Sequence, residues 1–141
     1  MKKILIINSN YYRKISSNLV LMAKKKLLKV KFEVSILNIP GAFEIPIAIR
    51  KNIYKFDGFI ALGCVIKGQT PHFNLLCSSL FNSILNLSVK YNKPIANGVI
   101  TALNLNQAKQ RSKKTKSKKP NKGLEAAEAV ISILKNGPKK N

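Results

Sequence analysis

Hydrophobic positions along the chain switch between two spacings, and each switch marks an element. Residues 3–7 (KILII) form a short β-branched run ending at the polar Asn8, Ser9 and Asn10, the pattern of a buried strand. From about residue 15 to 29, Leu19, Met22, Ala23, Leu27 and Leu28 return at helical spacing, with Ser16 and Ser17 near the start. Residues 31–37 (KFEVSIL) alternate as a second strand. Pro40 and Pro46 then bracket a turn that leads into a short helix over 44–54. The continuous apolar run at 58–65 (GFIALGCV) predicts a strand covered on both faces. Over 72–91, Phe73, Leu76, Cys77, Leu80, Phe81, Ile84 and Leu87 recur three and four apart, which predicts a long amphipathic helix. A fourth strand follows at 94–101, a short helix at 104–111, and a last helix at 122–135 that Gly137-Pro138 stops.

Strands alternating with helices predict a parallel sheet with helices on both faces. The expected class is α/β, a three-layer αβα sandwich of flavodoxin-like type with a four-stranded parallel sheet. The whole chain, 1–141, fits one domain, and no internal repeat divides it. Ligands in such folds gather at the C-terminal ends of the strands, here residues 8–12, 38–44, 64–72 and 97–104.

Composition changes this picture in two places. The chain carries 26 Lys and Arg against 5 Asp and Glu, a net +21, yet 23 of the cations are Lys and three are Arg. A nucleic-acid binder more usually mixes in arginine, whose fork reads phosphate and guanine bidentately. The abundance of Lys, Asn and Ile together fits an AT-rich coding sequence better than selection for polyanion binding. Eight positive charges and no acid crowd into 109–122, which predicts a basic, mobile loop over 112–120; a basic tail closes the chain at 137–141. Second, no apolar run reaches the roughly 18 residues of a membrane span, and the start is too short of apolar residues for an export signal. A cytoplasmic protein with two free, buried thiols, Cys64 and Cys77, is expected.

The chemistry candidates lie at the predicted strand ends. Residues 64–72 (CVIKGQTPH) join the buried strand to the long helix, with Thr70 as a helix cap and Pro71 at the first helical position. Gly68 permits close backbone approach and Lys67 adds charge, so the segment is either a phosphate cradle or a plain connector. His72 is the only histidine and the side chain best suited to moving a proton near neutral pH; alternatively it is a solvated first-turn residue. Neither cysteine has a base at a recognisable spacing, and no metal-ligand pattern occurs. Glu44 falls where the second strand end turns into a helix. Phe43, Tyr11 and Tyr12 are each either core or a stacking surface. Arg111 and Lys122 flank the basic run as phosphate ligands or as part of the lysine excess. Two rival classes remain: a basic RNA- or DNA-associating scaffold, which lacks interleaved aromatics in the basic run, and a flavin or nucleotide module, which lacks a Gly-rich loop after the first strand.

Taken in order, PGAFEIP (40–46), ALGCVIKGQTPHF (61–73), NGVIT (97–101), QAKQR (107–111) and NKGLEAAEA (121–129) resemble the 6,7-dimethyl-8-ribityllumazine synthase family. The resemblance implies condensation of 5-amino-6-(D-ribitylamino)uracil with L-3,4-dihydroxy-2-butanone 4-phosphate, releasing phosphate and water, in riboflavin biosynthesis, with no cofactor and no metal. It implies His72 as general acid/base. Tyr11 matches the aromatic that stacks on the pyrimidine; Ala42, Phe43, Glu44, Cys64, Val65, Ile66 and Asn97 match its other contacts. Lys67, Gln69, Thr70 and Arg111 match the phosphate set, and Lys122 and Glu125 line the site. Partners implied are the two small-molecule substrates and further copies of the chain, a homopentamer or a larger shell, with sites between neighbours. Membrane association and nucleic-acid binding beyond non-specific charge attraction are not expected. Lys67, Asn74 and Asn10 depart from residues more usual in the family.

Overall fold

Four parallel strands in the order β2-β1-β3-β4 form the centre of the molecule. The computed structural model describes residues 1–115 and 119–139. In chain order these give β1 Lys3–Ser9, α1 Arg13–Lys29, β2 Glu33–Ile39, a 3-10 turn Ala42–Glu44, α2 Ile45–Lys51, β3 Gly58–Ile66, α3 Phe73–Tyr91, β4 Ile95–Ala102, α4 Leu105–Gln110 and α5 Lys122–Lys135. The expected three-layer sandwich is present. Strand β1 shows why: Ile4 and Ile6 face α1 and α5 with Leu19, Leu27, Ala127 and Val130, while Leu5 and Ile7 face α2 and α3 with Ile45, Ile49, Leu80 and Ile84. Alternate side chains of a strand leave on opposite faces, so one buried strand feeds two cores. Every residue of β3 is buried, as its unbroken apolar run predicts.

Several boundaries differ from the sequence expectation, each for a local reason. Helix α1 begins at Arg13, two residues before the expected start, and its turn carries on to Lys31. Lys31 adopts φ 64°, with its N–H donating to Leu28 O at 3.0 Å and the Phe32 N–H donating to Leu27 O at 3.1 Å. This left-handed corner usually carries glycine; with lysine there the corner is hard to see, and β2 starts at Glu33 instead of 31. Helix α2 is shorter than expected at both ends: the 3-10 turn takes its first residue, and past Lys51 the backbone tightens, with Asn52 N donating to Ile49 O at 3.0 Å and Ile53 N to Arg50 O at 3.3 Å. Helix α3 has Leu80 and Ile84 buried, but Cys77 is only half-buried and Phe81 is exposed. The expectation of two buried thiols therefore holds for Cys64 alone.

Helix α5 is held in place at its start. Asn121, itself buried, caps it by accepting from Gly123 N at 2.8 Å and Leu124 N at 3.1 Å. Its amide also donates to Lys113 O at 3.0 Å. A side chain at Gly123 would sit 2.1 Å from Leu19 O, so only glycine lets α5 approach α1 this closely. The basic run is thus anchored at both ends: Ser112 is buried and bonded to Lys109 O, and Asn121 grips Lys113. Residues 116–118 of the expected mobile loop, and 140–141 of the tail, lie outside the described residues. No helix among the described residues is long and apolar enough to cross a membrane.

Candidate active site

Strands β1 and β3 lie side by side, so the connections that leave their C-terminal ends meet over one edge of the sheet. A cleft of about 190 Å³ opens there, lined by Ser9, Tyr11, Tyr12, Gly41, Ala42, Cys64, Val65, Ile66, Gln69, Thr70 and Leu76. Seven of the expected site residues are therefore brought together: Tyr11, Ala42, Cys64, Val65, Ile66, Gln69 and Thr70. Tyr11 is 74 % exposed and meets the Tyr12 ring edge-on, with centroids 5.0 Å apart and planes at 78°. A ring that open is not part of the core. Burial pushes the Cys64 thiol up to about 11, leaving it a neutral, poorly nucleophilic wall of the cleft at neutral pH.

Phe43 and Glu44 stand next door. They line an apolar groove of about 600 Å³ between α2 and α3, which shares Leu76 with the cleft. Phe43 is 76 % exposed, also a surface ring. The Glu44 carboxylate lies over Gly41, where an added side-chain carbon would come within 3.2 Å of its Oε1. Glu44 therefore reaches the cleft rim through a residue that lines it.

The β3–α3 connection departs from expectation. Thr70 does not cap α3, and Pro71 is not its first residue; His72 is the cap, without a side-chain bond, and the helix opens at Phe73. The reason is a turn ahead of it. Gly68 takes φ +87°, Gln69 N donates to Ile66 O at 3.2 Å, and Thr70 pairs with Lys67 in an isolated bridge. Thr70 also precedes a proline, which disfavours the helical region. Lys67 is exposed, with its N–H held by Ala102 O at 2.9 Å, and His72 is exposed two residues past Thr70. Neither lines the cleft.

The remaining candidates lie elsewhere on the molecule. Asn97 is the third residue of β4, opposite Ala61, and not at the strand's C-terminal end as expected. At about 3.3 Å per residue it sits some 16 Å back from Ala102; its side chain accepts from Val99 N at 3.0 Å. Arg111, Lys122 and Glu125 form a second cluster where α4 meets α5. Lys122 N donates to Arg111 O at 2.9 Å, and the Lys122 ammonium lies 3.7 Å from Glu125 Oε1. This cluster does not line the cleft either. Among the described residues, no three His, Cys, Asp or Glu come together as a metal site.

The model of the 6,7-dimethyl-8-ribityllumazine synthase family matches residues 1–136. The chain belongs to this family. Three relatives bearing that name show the extent of the likeness. The protein of Campylobacter curvus is 38 % identical over 94 % of this chain and 86 % of its own length. That of Bartonella tribocorum is 37 % identical over 93 % and 87 %, and that of Vesicomyosocius okutanii 38 % over 94 % and 84 %. Within this lumazine synthase fold, Ser9, Gly41 and Leu76 are cleft residues that sequence reasoning missed. Ser9 ends a strand read as two residues shorter, and Leu76 looks like any other position on the apolar stripe of α3. Gly41 had a signal, since it stands inside the PGAFEIP segment.

Proposed function

We propose that the chain condenses 5-amino-6-(D-ribitylamino)uracil with L-3,4-dihydroxy-2-butanone 4-phosphate to 6,7-dimethyl-8-ribityllumazine, releasing phosphate and water, in riboflavin biosynthesis. The observation that carries this reading is a cleft at the ends of β1 and β3, lined in part by residues 41–42, 64–66 and 69–70 of the segments that carry the resemblance, in a chain the family model matches over residues 1–136. Tyr11 stacks on the pyrimidine. Ala42, Phe43, Glu44 and the 64–66 backbone hold its polar edge and the ribityl chain. Gln69, Thr70 and Arg111 receive the phosphate, with Lys67 adding charge nearby. His72 moves protons during imine formation and phosphate loss. Joining an amine to a ketone is largely a problem of proximity, so holding both substrates supplies much of the rate.

One chain is half of this site. Its cleft of about 190 Å³ falls short of the roughly 300–1,000 Å³ usual for a small-molecule site, and two substrates must fit. Asn97, Arg111, Lys122 and Glu125 do not line it, and we infer that a neighbouring copy presents them. Phe43, Ile47 and Leu75, all largely exposed beside the cleft, supply apolar surface for that contact. The assembly proposed is a homopentamer in the cytoplasm. Purified protein mixed with both substrates is expected to develop the lumazine chromophore. His72→Ala should slow turnover by about a hundredfold without abolishing it, because the loss of one proton-transfer group leaves proximity intact. Folded wild-type protein that forms no chromophore overturns the reading.

A further inference from the structure

Tyr12 joins the two connections that form the cleft. It leaves the end of β1 as the cap of α1, its ring packs against the core on the α1 side of the sheet, and its hydroxyl donates to Gln69 Oε1 at 2.5 Å. Gln69 stands on the exposed turn after β3, where Gly68 gives the backbone no bulk to lean on, and the Tyr12 hydroxyl holds its carboxamide oxygen. A carboxamide whose oxygen is taken has its two N–H donors left over. Both rings and the carboxamide line the same cleft. Burial, with Cys64 and Tyr11 close by, raises the Tyr12 phenol above its ordinary value, so it stays a donor throughout the neutral range.

We propose that Tyr12 is a positioning residue: by holding Gln69 Oε1 it turns the Gln69 amide N–H groups toward the phosphate of the four-carbon substrate. This rests on the reaction assigned above, and it adds a residue and a role to it. The arrangement gives the phosphate two neutral donors already oriented before binding, so less rotational freedom is lost when the substrate arrives. It also divides Tyr12 into two separable parts. The ring packs with Tyr11 and the core, and the hydroxyl alone sets Gln69.

Tyr12→Phe keeps the ring and removes only the hydroxyl. Loss of one hydrogen bond of about 0.5–1.5 kcal/mol corresponds to a rise of about 2- to 10-fold in KM for the phosphorylated substrate, with the change falling on this KM more than on kcat. The KM for the pyrimidine should stay within twofold. Gln69→Ala should raise the same KM, and adding Tyr12→Phe to it should raise it no further, since the hydroxyl then has nothing to hold. An equal rise in both KM values, no rise at all, or additive effects in the double variant overturns the proposal. A second readout does not depend on turnover: titrating inorganic phosphate into 15N-labelled protein should shift the Gln69 side-chain amide signals at lower phosphate in the wild type than in Tyr12→Phe. Identical titrations overturn the positioning role. A wild type that makes no lumazine yet shows the expected difference in phosphate titration refutes the assigned reaction alone.

Discussion

Cys64 illustrates how a single residue in the cleft is tuned by burial. Its thiol is pushed up to about 11 from an ordinary value of 9.0, so at pH 8 its thiolate fraction is about a hundredfold below that of a free thiol. Alkylation by iodoacetamide at pH 8 should modify Cys77, which is half-buried, well before Cys64, and the Cys64 rate should climb across pH 9 to 11. Peptide mapping by mass spectrometry checks the order; equal labelling at pH 8 contradicts it. The sign for stability follows from the same shift. The unfolded thiol loses its proton near 9 and the folded one near 11, so below pH 9 the group is neutral in both states, and between 9 and 11 it progressively disfavours the fold. At this scale the sequence was readable for identity and not for setting. It singled out Tyr11, Gln69 and Thr70, which line the cleft, but a string of letters does not show that the hydroxyl of Tyr12 will end beside Gln69, 57 residues along the chain.

Elements were legible where the hydrophobic pattern was strong and obscured where their ends used uncommon residues. All four strands and the long helices fall where the periodicity puts them, because burying an apolar face is the main term holding each. The ends answer to backbone geometry instead. Lys31 occupies a left-handed corner at φ 64°, a conformation that costs a non-glycine residue about 1 kcal/mol. Lys31→Gly should therefore stabilise the fold by about 0.5–1 kcal/mol, read as a higher urea midpoint at unchanged slope. Asn121 works in the opposite direction. Replacing it by alanine removes the cap of α5 and the anchor of the basic run together, and should cost about 1–2 kcal/mol, lowering Tm by several degrees. The same loss in Asn121→Asp would show that the bond to Lys113 O matters more than the cap, which the aspartate keeps.

For the whole molecule, the +21 charge bears on assembly more than on chemistry. Five copies carry +105, and although salt screens exposed charges beyond roughly 10 Å at 0.1 M, repulsion of that size opposes closing pentamers into a shell. Light scattering is expected to report a free pentamer; a closed shell contradicts this, and a monomer that still turns over contradicts a site shared between copies. The cations also concentrate locally. Arg13, Lys14, Lys109 and Lys113 surround a cavity of about 500 Å³ beside α1 and α4. Charge of this kind attracts any polyanion, so weak RNA binding at low salt is expected to fall away steeply by 0.2 M salt; binding that persists there would favour a dedicated nucleic-acid surface.

The sequence by itself determined the αβα class and the order of the elements, which follow from local spacing, period two against period three to four. Its resemblance to the family singled out seven of the residues that line the cleft. Tertiary structure decided which of those residues meet. Parallel pairing of β1 with β3 gathers the cleft, and the Gly68 turn sets His72 instead of Thr70 at the head of α3. The position of Asn97 in the body of β4, and of Arg111, Lys122 and Glu125 at the α4–α5 junction, keeps them outside it. Such placements depend on register, on close approach and on conformations that hydrophobic spacing does not encode. Those are contacts between residues far apart in the chain, which only the folded molecule brings within reach.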